Sequence, residues 1–390
     1  VQVVGHSIKC WCPMENKVNT KEIILLFLKL GIIGFGGPAA HIAMMQNEVV
    51  VKRKWMDEQH FLDLLGAVNL IPGPNSTEMA IHIGYDKGGW KGLLAAGLCF
   101  IFPAVLITGI FAFLYHQYGQ LPEVQPFIYG IKSAIIAVII GAVYPLAKKS
   151  IKSAFLALVG MAVLLGSLSG ISEIYLMFGA GLLAVAVFLF QNRNNGNTMQ
   201  GFVPLLFFKV GQSEFLSETN VKLFWIFLKI GSILYGSGYV LFAFLDTELV
   251  ATGLLTRQQL MDAIAVGQFT PGPVFSSVTF IGYQINGLSG AILSTIAIFL
   301  PSFIFVALLN PLMKRIRRYK SLSAFLDAVN VASVAIIVAV CFTMGKETVT
   351  DWRTITIALI SAFIVFKFKK VNSAFIVLGG ALLGYILNTI

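Results

Sequence analysis

Long apolar runs decide what this chain can be. They cover residues 89–115, 127–146, 153–168, 173–190, 287–309, 321–344, 354–366 and 373–387. An α-helix of about 20 residues crosses about 30 Å of hydrocarbon, and most of these runs approach that length. Composition excludes a soluble alternative, since 57% of residues are hydrophobic and only 12% charged, against about 25% charged in an ordinary soluble domain. The runs do not alternate residue by residue, which excludes a transmembrane barrel. The expected fold is an all-α polytopic membrane protein.

The charges that remain are placed rather than scattered. Basic residues gather where apolar runs end, at Lys148, Lys149 and Lys152, at 314–320 (KRIRRYK), and at Lys367, Lys369 and Lys370. The net charge of +10 is therefore better explained by the positive-inside tendency than by a nucleic-acid partner. Cys10 and Cys12 are too close for a zinc knuckle and have no second pair, and Cys99 and Cys341 lie in apolar runs. The five histidines form neither HExxH nor a clustered ligand set, and no Gly-x-x-x-x-Gly-Lys-Ser/Thr loop or potassium-type filter occurs. No metal, cofactor or enzymatic activity is expected. Residues 1–20 form a polar segment without the apolar core of a signal peptide.

The chain also repeats itself. Phe27-Leu28-Lys29-Leu30-Gly31 returns as Phe227-Leu228-Lys229-Ile230-Gly231, and Gly36 and Glu48 meet Gly236 and Glu248 at the same offset of 200. After one deletion Asp63 meets Asp262 and Pro72-Gly73-Pro74 meets Pro271-Gly272-Pro273; after a second, Ile83-Gly84-Tyr85 meets Ile281-Gly282-Tyr283, and Pro103 meets Pro301. This is a duplicated membrane unit, with repeats at 21–190 and 221–390 joined by a linker at 191–220 whose stretch 202–210 is apolar but too short to span. The run 89–115 ends in a loop without Lys or Arg, whereas its partner 287–309 ends in KRIRRYK. Matching helices then point in opposite directions, as in an inverted-repeat transporter. Counting crossings asks for a kinked span over 221–250, a re-entrant pair at 257–270 and 274–285, and residues 19–20 at the outer, lysine-poor end.

Each copy carries a helix interrupted by Pro-Gly-Pro. Proline removes an amide donor and glycine permits a sharp excursion. Broken backbone cannot face lipid, so it is buried or lines a polar cavity. Asn75-Ser76-Thr77 follows the first break, and Ser276 and Ser277 follow the second. Amides, hydroxyls and the positive end of a half-helix make an oxyanion cradle near mid-membrane; the bland alternative is a pair of packing kinks. Lys29 and Lys229 sit inside apolar runs in both copies, where two cations could neutralise a dianion or, more simply, snorkel. Gly36 and Gly37, within Gly34-Phe35-Gly36-Gly37-Pro38, and Gly236 add flexible backbone. Glu78, directly after the break, is the first candidate for proton coupling, with His41, His82 and Glu48 beside it. Arg53 could draw anions to the cytoplasmic mouth.

These motifs carry a resemblance. FLKLGIIGFGGPAAHIAMMQNEVV, KRKWMDEQHFLDLLGAVNLIPGPNSTEMAIHIGYDKGGWKG and, in the second copy, FLKIGSILYGSGYVLFAFL with LLTRQQLMDAIAVGQFTPGPVFSSVTFIGYQINGLSG resemble the two domains of the chromate ion transporter (CHR) family in its two-domain, long-chain form. The resemblance covers roughly residues 20–390. It implies a multi-pass carrier of the bacterial inner or plasma membrane that exports chromate, driven by the proton motive force or by sulfate exchange. It also places the glycine-rich motif at 34–38 and the basic residue before leucine-glycine at Lys29, which is often arginine in the family. Chromate and sulfate share shape and charge, so a sulfate or other inorganic-oxyanion carrier is the alternative, and a passive anion channel a further one. The expected partners are the transported chromate or sulfate and the lipid bilayer; a homodimer is compatible with the sequence but has no dedicated signal.

Overall fold

The computed structural model describes residues 18–35, 37–68, 71–119, 121–191, 217–235, 238–309, 320–368 and 371–389. Gly36, Gly236, most of 1–20, most of the linker 191–220 and most of the basic stretch 314–320 lie outside the described residues. The described chain is all-α: α1 Thr20–Ile33, α2 Gly37–Gln46, α3 Glu58–Val68, α4 Asn75–Tyr118, α5 Gln125–Ser150, α6 Ala154–Leu168, α7 Glu173–Gln191, α8 Glu218–Ile233, α9 Val240–Leu245, α10 Arg257–Phe269, α11 Ser277–Leu309, α12 Lys320–Thr348, α13 Trp352–Lys367 and α14 Ser373–Thr389. Among them α4, α5, α7, α11 and α12 are long and apolar enough to cross a membrane, so this is a multi-pass membrane protein.

Two of the long helices are folded double. Gly89 interrupts α4 with φ 59° and ψ −146°, and Gly287 interrupts α11 with φ 61° and ψ −150°, a region that side chains other than glycine rarely adopt. A Cβ on Gly84 would lie 2.3 Å from Gly92 O, and one on Gly282 would lie 2.4 Å from Gly290 O. The arms before and after each kink are thus packed backbone to backbone, which only small residues allow. The outer face of each long arm explains the sequence's apolar excess. Leu94, Leu98, Phe102, Leu106 and Ile110 are exposed at every fourth position of α4, as are Leu288, Ile292, Ile296, Leu300 and Ile304 of α11. Exposing such a side chain to water costs about 1.5–3 kcal/mol relative to burying it, so these stripes are built for lipid.

The short helices turn back rather than run through. α1 and α8 have 14 and 16 residues, about 21–24 Å of rise. Val18 N donates to Lys87 O at 3.0 Å, which puts the start of α1 beside the Gly89 kink. Asn286 Nδ2 donates to Asn220 Oδ1 at 2.7 Å, which puts the start of α8 beside the Gly287 kink. His116 packs its ring on Tyr283, so the Gly287 kink lies at the end of the bundle where α4 finishes. Both flanks of 221–250 reach that end, because Arg257 pairs with Asp246 and with Glu347 at the close of α12. Two expectations are corrected here. The segment 221–250 is not a single kinked crossing, and residues 19–20 sit beside the Gly89 kink, opposite the lysine-poor loop. The physical reason is the same in both: helices too short to span stop at their glycine breaks and return.

Candidate functional site at the crossed helix breaks

The two Pro-Gly-Pro loops meet the glycine breaks of the opposite repeat. Gly73 N donates to Leu234 O at 2.8 Å, and Gly272 N donates to Gly34 O at 2.7 Å. Leu234 and Gly34 are the positions where α8 and α1 stop, so their carbonyls belong to the set that a helix end leaves without partners. Each broken helix is thereby completed by the tip of the other half, and a buried backbone group that would otherwise cost about 1–3 kcal/mol is satisfied. The glycines permit it: φ is +136° at Gly73 and +90° at Gly272. Their amides, assigned by sequence to an anion cradle, already serve this exchange. The half-helix starts beyond them, at Asn75, Ser76 and Thr77 and at Ser276 and Ser277, are buried or nearly so.

The side chains under the two tips differ. Beneath Gly73, a Cβ would lie 2.3 Å from Glu78 Oε1 and 2.7 Å from Ser302 Oγ, so both polar groups fill the space that glycine leaves. Glu78 and His82 are fully buried and stand one turn apart on one face of α4. Neither ring nitrogen of His82 has a hydrogen-bond partner among the described residues. Beneath Gly272 the neighbour is Ala104 Cβ at 2.8 Å, and close by Thr108 Oγ1 lies 3.4 Å from Thr270 Oγ1 and 3.3 Å from Ser276 Oγ. One tip is acidic and the other is lined by neutral hydroxyls. His41 Nε2 lies 2.9 Å from Gly34 O. A carbonyl only accepts, so Nε2 carries the proton and the ring braces the first break.

Lys29 and Lys229 do not reach these tips as bare cations. Lys29 Nζ is 3.0 Å from Glu48 Oε1, and Lys229 Nζ is 2.5 Å from Glu248 Oε1; both lysine side chains are about half exposed. The duplication has therefore preserved a lysine–glutamate pair rather than a lone lysine. Glu48 also receives Lys52 Nζ at 2.9 Å and Arg53 Nε at 3.4 Å, and Arg53 stacks over Trp55. The hydrogen bond from Lys52, reinforced by Lys29, holds the Glu48 carboxyl down to about 2. Three cations facing one carboxylate leave this cluster positive. At the same offset the second repeat has Thr252 and Gly253, and its pair is balanced.

An open cavity of about 940 Å³ touches both glycine breaks through Phe35 and Tyr239 and carries Lys148 and Lys149 among its lining residues. Tyr239 also donates to the buried Gln268 Oε1 at 3.2 Å. Lys148 and Lys149 were legible in sequence only as markers of a helix end. Thr108 and Ser302 gave no signal, being isolated hydroxyls in apolar runs, and Thr270 is a single hydroxyl directly before Pro271. Among the described residues no group of three His, Cys, Asp or Glu side chains could hold a metal ion.

Comparison with known proteins agrees with this duplicated architecture. No solved structure matches the chain. The chain is 31% identical over 376 residues to the chromate transport protein of Cupriavidus metallidurans, covering 94% of this chain and 92% of that one. It is 28% identical over 387 residues to an uncharacterized transporter of Methanocaldococcus jannaschii, covering 96% of each. With the chromate transport protein of Pseudomonas aeruginosa it shares 26% identity over 382 residues, 94% of this chain and 92% of that one. The family model described as chromate transporter matches twice, at residues 21–185 and 221–385, and the chain belongs to the chromate transporter family.

Proposed function

We propose that this protein is a secondary transporter that carries chromate across a bacterial inner or plasma membrane, with the substrate passing between the two crossed Pro-Gly-Pro tips. Family membership supports the transported ion. The observation that carries the site is the reciprocal pair of hydrogen bonds, Gly73 to Leu234 and Gly272 to Gly34. It ties the start of a half-helix in each repeat to a stopped helix of the other, which supports a buried site where the positive ends of the half-helices favour an anion.

In this reading the repeats, 21–190 and 221–390, are inverted. The contacts of α1 beside the Gly89 kink, and of α8 beside the Gly287 kink at the opposite end, support two sets of re-entrant hairpins entering from opposite faces. Broken backbone at their tips is then buried in protein, as a bilayer requires. Lys29 and Lys229 act as exchangeable partners: the anion takes the lysine while Glu48 or Glu248 lets go. Arg53 and Lys52 raise the local anion concentration at the first pair. Glu78 and His82 couple the movement to protons, since a carboxyl beneath an anion site must be neutral when the anion is present. Export, driven by a proton or sulfate gradient, is the proposed direction.

Proteoliposomes test the reading. Chromate and sulfate should move saturably and accumulate when a proton or counter-anion gradient is imposed. Flux that only runs down its own gradient would instead make the protein a channel, and sulfate moving with chromate as a poor competitor would make it a sulfate carrier. Correctly folded protein that moves neither ion sinks the proposal.

A further inference from the structure

The deepest ion pair in the described residues is not at the lysines that the repeat marks. Lys132, on α5, has Nζ 3.0 Å from Asp262 Oδ1 on α10, and Tyr115, on α4, donates from its hydroxyl to Asp262 Oδ2 at 2.6 Å. Lys132 is 8% exposed and Asp262 3%. Three helices from the two repeats therefore converge on one carboxylate, apart from the half-exposed pairs that Lys29 and Lys229 make with glutamates. A buried ion pair is a poor means of stabilising a fold, because desolvation consumes most of the Coulombic gain. Its presence asks for another reason.

The geometry of the donors supplies one. An ammonium and a phenol address the two separate oxygens of a single oxyanion, which is how a protein would also grasp two oxygens of a tetrahedral dianion. The cluster is also on the way out from the centre. Thr108 and Tyr115 are two turns apart on α4, and Thr270, which caps α10, is eight residues past Asp262, so about 10–12 Å of the same seam separates the central hydroxyls from this cluster. Tyr115 lies at the end of α4 that precedes the lysine-poor loop.

We propose that Lys132 and Tyr115 form a second oxyanion seat, between the crossed tips and the lysine-poor end of the bundle, in which the carboxylate of Asp262 holds the place of the transported dianion. This rests on the reading of the protein as an oxyanion carrier. An arriving tetrahedral dianion takes both donors, Asp262 withdraws, and its return displaces the ion toward the exit. The resident carboxylate keeps the seat from becoming a trap.

Chromate and sulfate fluxes in proteoliposomes, with quantified folded protein, test the seat through three variants. Y115F should raise KM about tenfold, the worth of one hydrogen bond to a charged group, with kcat retained. D262N removes the competitor while leaving both donors, and should lower KM and slow turnover. K132M/D262L removes the pair without leaving a buried charge, and should fold yet lose transport. Transport by the double variant at wild-type KM overturns the seat and leaves a structural pair. If the double variant does not fold, D262N decides: an unchanged KM in its folded fraction overturns the proposal equally. Failure of the wild-type protein to move either ion would instead strike the carrier reading itself.

Discussion

The two Pro-Gly-Pro tips have the same backbone and different chemistry. Each glycine donates across to a stopped helix of the other repeat, at 2.8 Å from Gly73 and 2.7 Å from Gly272. Beneath the first lie Glu78 and Ser302; beneath the second lies Ala104, with the Thr108, Thr270 and Ser276 hydroxyls nearby. Ser302 and Ala104 are themselves repeat partners, each following the matched prolines Pro301 and Pro103. The helices behind the tips differ in the same sense. Every residue of α9 is buried, while α2 buries only His41 and Met45. Duplication has kept the crossing of the tips, while one tip is ionisable and the other is lined by neutral hydroxyls.

Breaking the shared feature should cost most. G73A places a methyl group 2.3 Å from Glu78 Oε1 and G272A places one 2.8 Å from Ala104 Cβ, each at a positive φ. Strain of about 1–2 kcal/mol adds to the displaced cross-repeat hydrogen bond, so transport should fall about a hundredfold in either variant. Flux per folded molecule checks it. If one glycine tolerates alanine and the other does not, the tips are not mechanically equivalent.

Breaking the difference should change coupling before it changes binding. E78Q is isosteric and keeps the tip filled, so saturable exchange of one anion for another should persist while accumulation driven by an imposed proton gradient disappears. S276A and S277A, made in the corresponding turn of the second half, should leave that accumulation in place and weaken affinity instead. A proton-driven E78Q protein would move the coupling role elsewhere, with His82 as the next residue to replace.

Much of this contrast was legible in the sequence and the central fact was not. The repeat, the two Pro-Gly-Pro breaks and the ionisable character of Glu78 and His82 follow from residue identity and spacing. That each tip would complete the other repeat's broken helix does not, because backbone hydrogen bonding between residues such as Gly73 and Leu234 leaves no side-chain pattern. Lys29 and Lys229 stood out as buried-looking cations, yet Glu48 and Glu248, 19 residues on in both copies, were read separately from them. A lysine and a glutamate at that separation are not neighbours on one helix; they meet only because the chain turns back at its glycines. Counting crossings failed for the same reason. Lys132, inside the run 127–146, offered the same signal of a lone cation among apolar residues, and of the three lysines it is the one that is buried.

The lysine pairs offer a smaller contrast. Among the described residues, K29Q removes one of three cations around Glu48, and K229Q removes the single cation paired with Glu248. Because surplus positive charge exists only at the first pair, K29Q should raise the KM for chromate by about threefold to tenfold, and more at low salt, where long-range attraction is least screened. K229Q should leave the salt dependence as it is in the wild type. Equal salt slopes in the two variants would show that Arg53 and Lys52 do not steer the ion.

The smallest expected effect is on stability in acid, and it too separates the halves. The Glu48 carboxyl is held down to about 2 by Lys52 and Lys29, below the ordinary carboxylate value it regains on unfolding, about 4.3. Its folded form therefore binds fewer protons than the unfolded one, so its contribution is fully present above that ordinary value and is lost as pH falls through it toward 2. The midpoint of thermal unfolding in detergent should be lower for E48Q than for the wild type at pH 7, and the gap should close as the pH is lowered from 5 toward 3. E248Q, which removes a carboxylate with one partner rather than three, should show a narrower gap at pH 7. The absence of any gap for E48Q at pH 7 would mean that the three cations tolerate an uncharged partner, and that the cluster serves the passing anion rather than the fold.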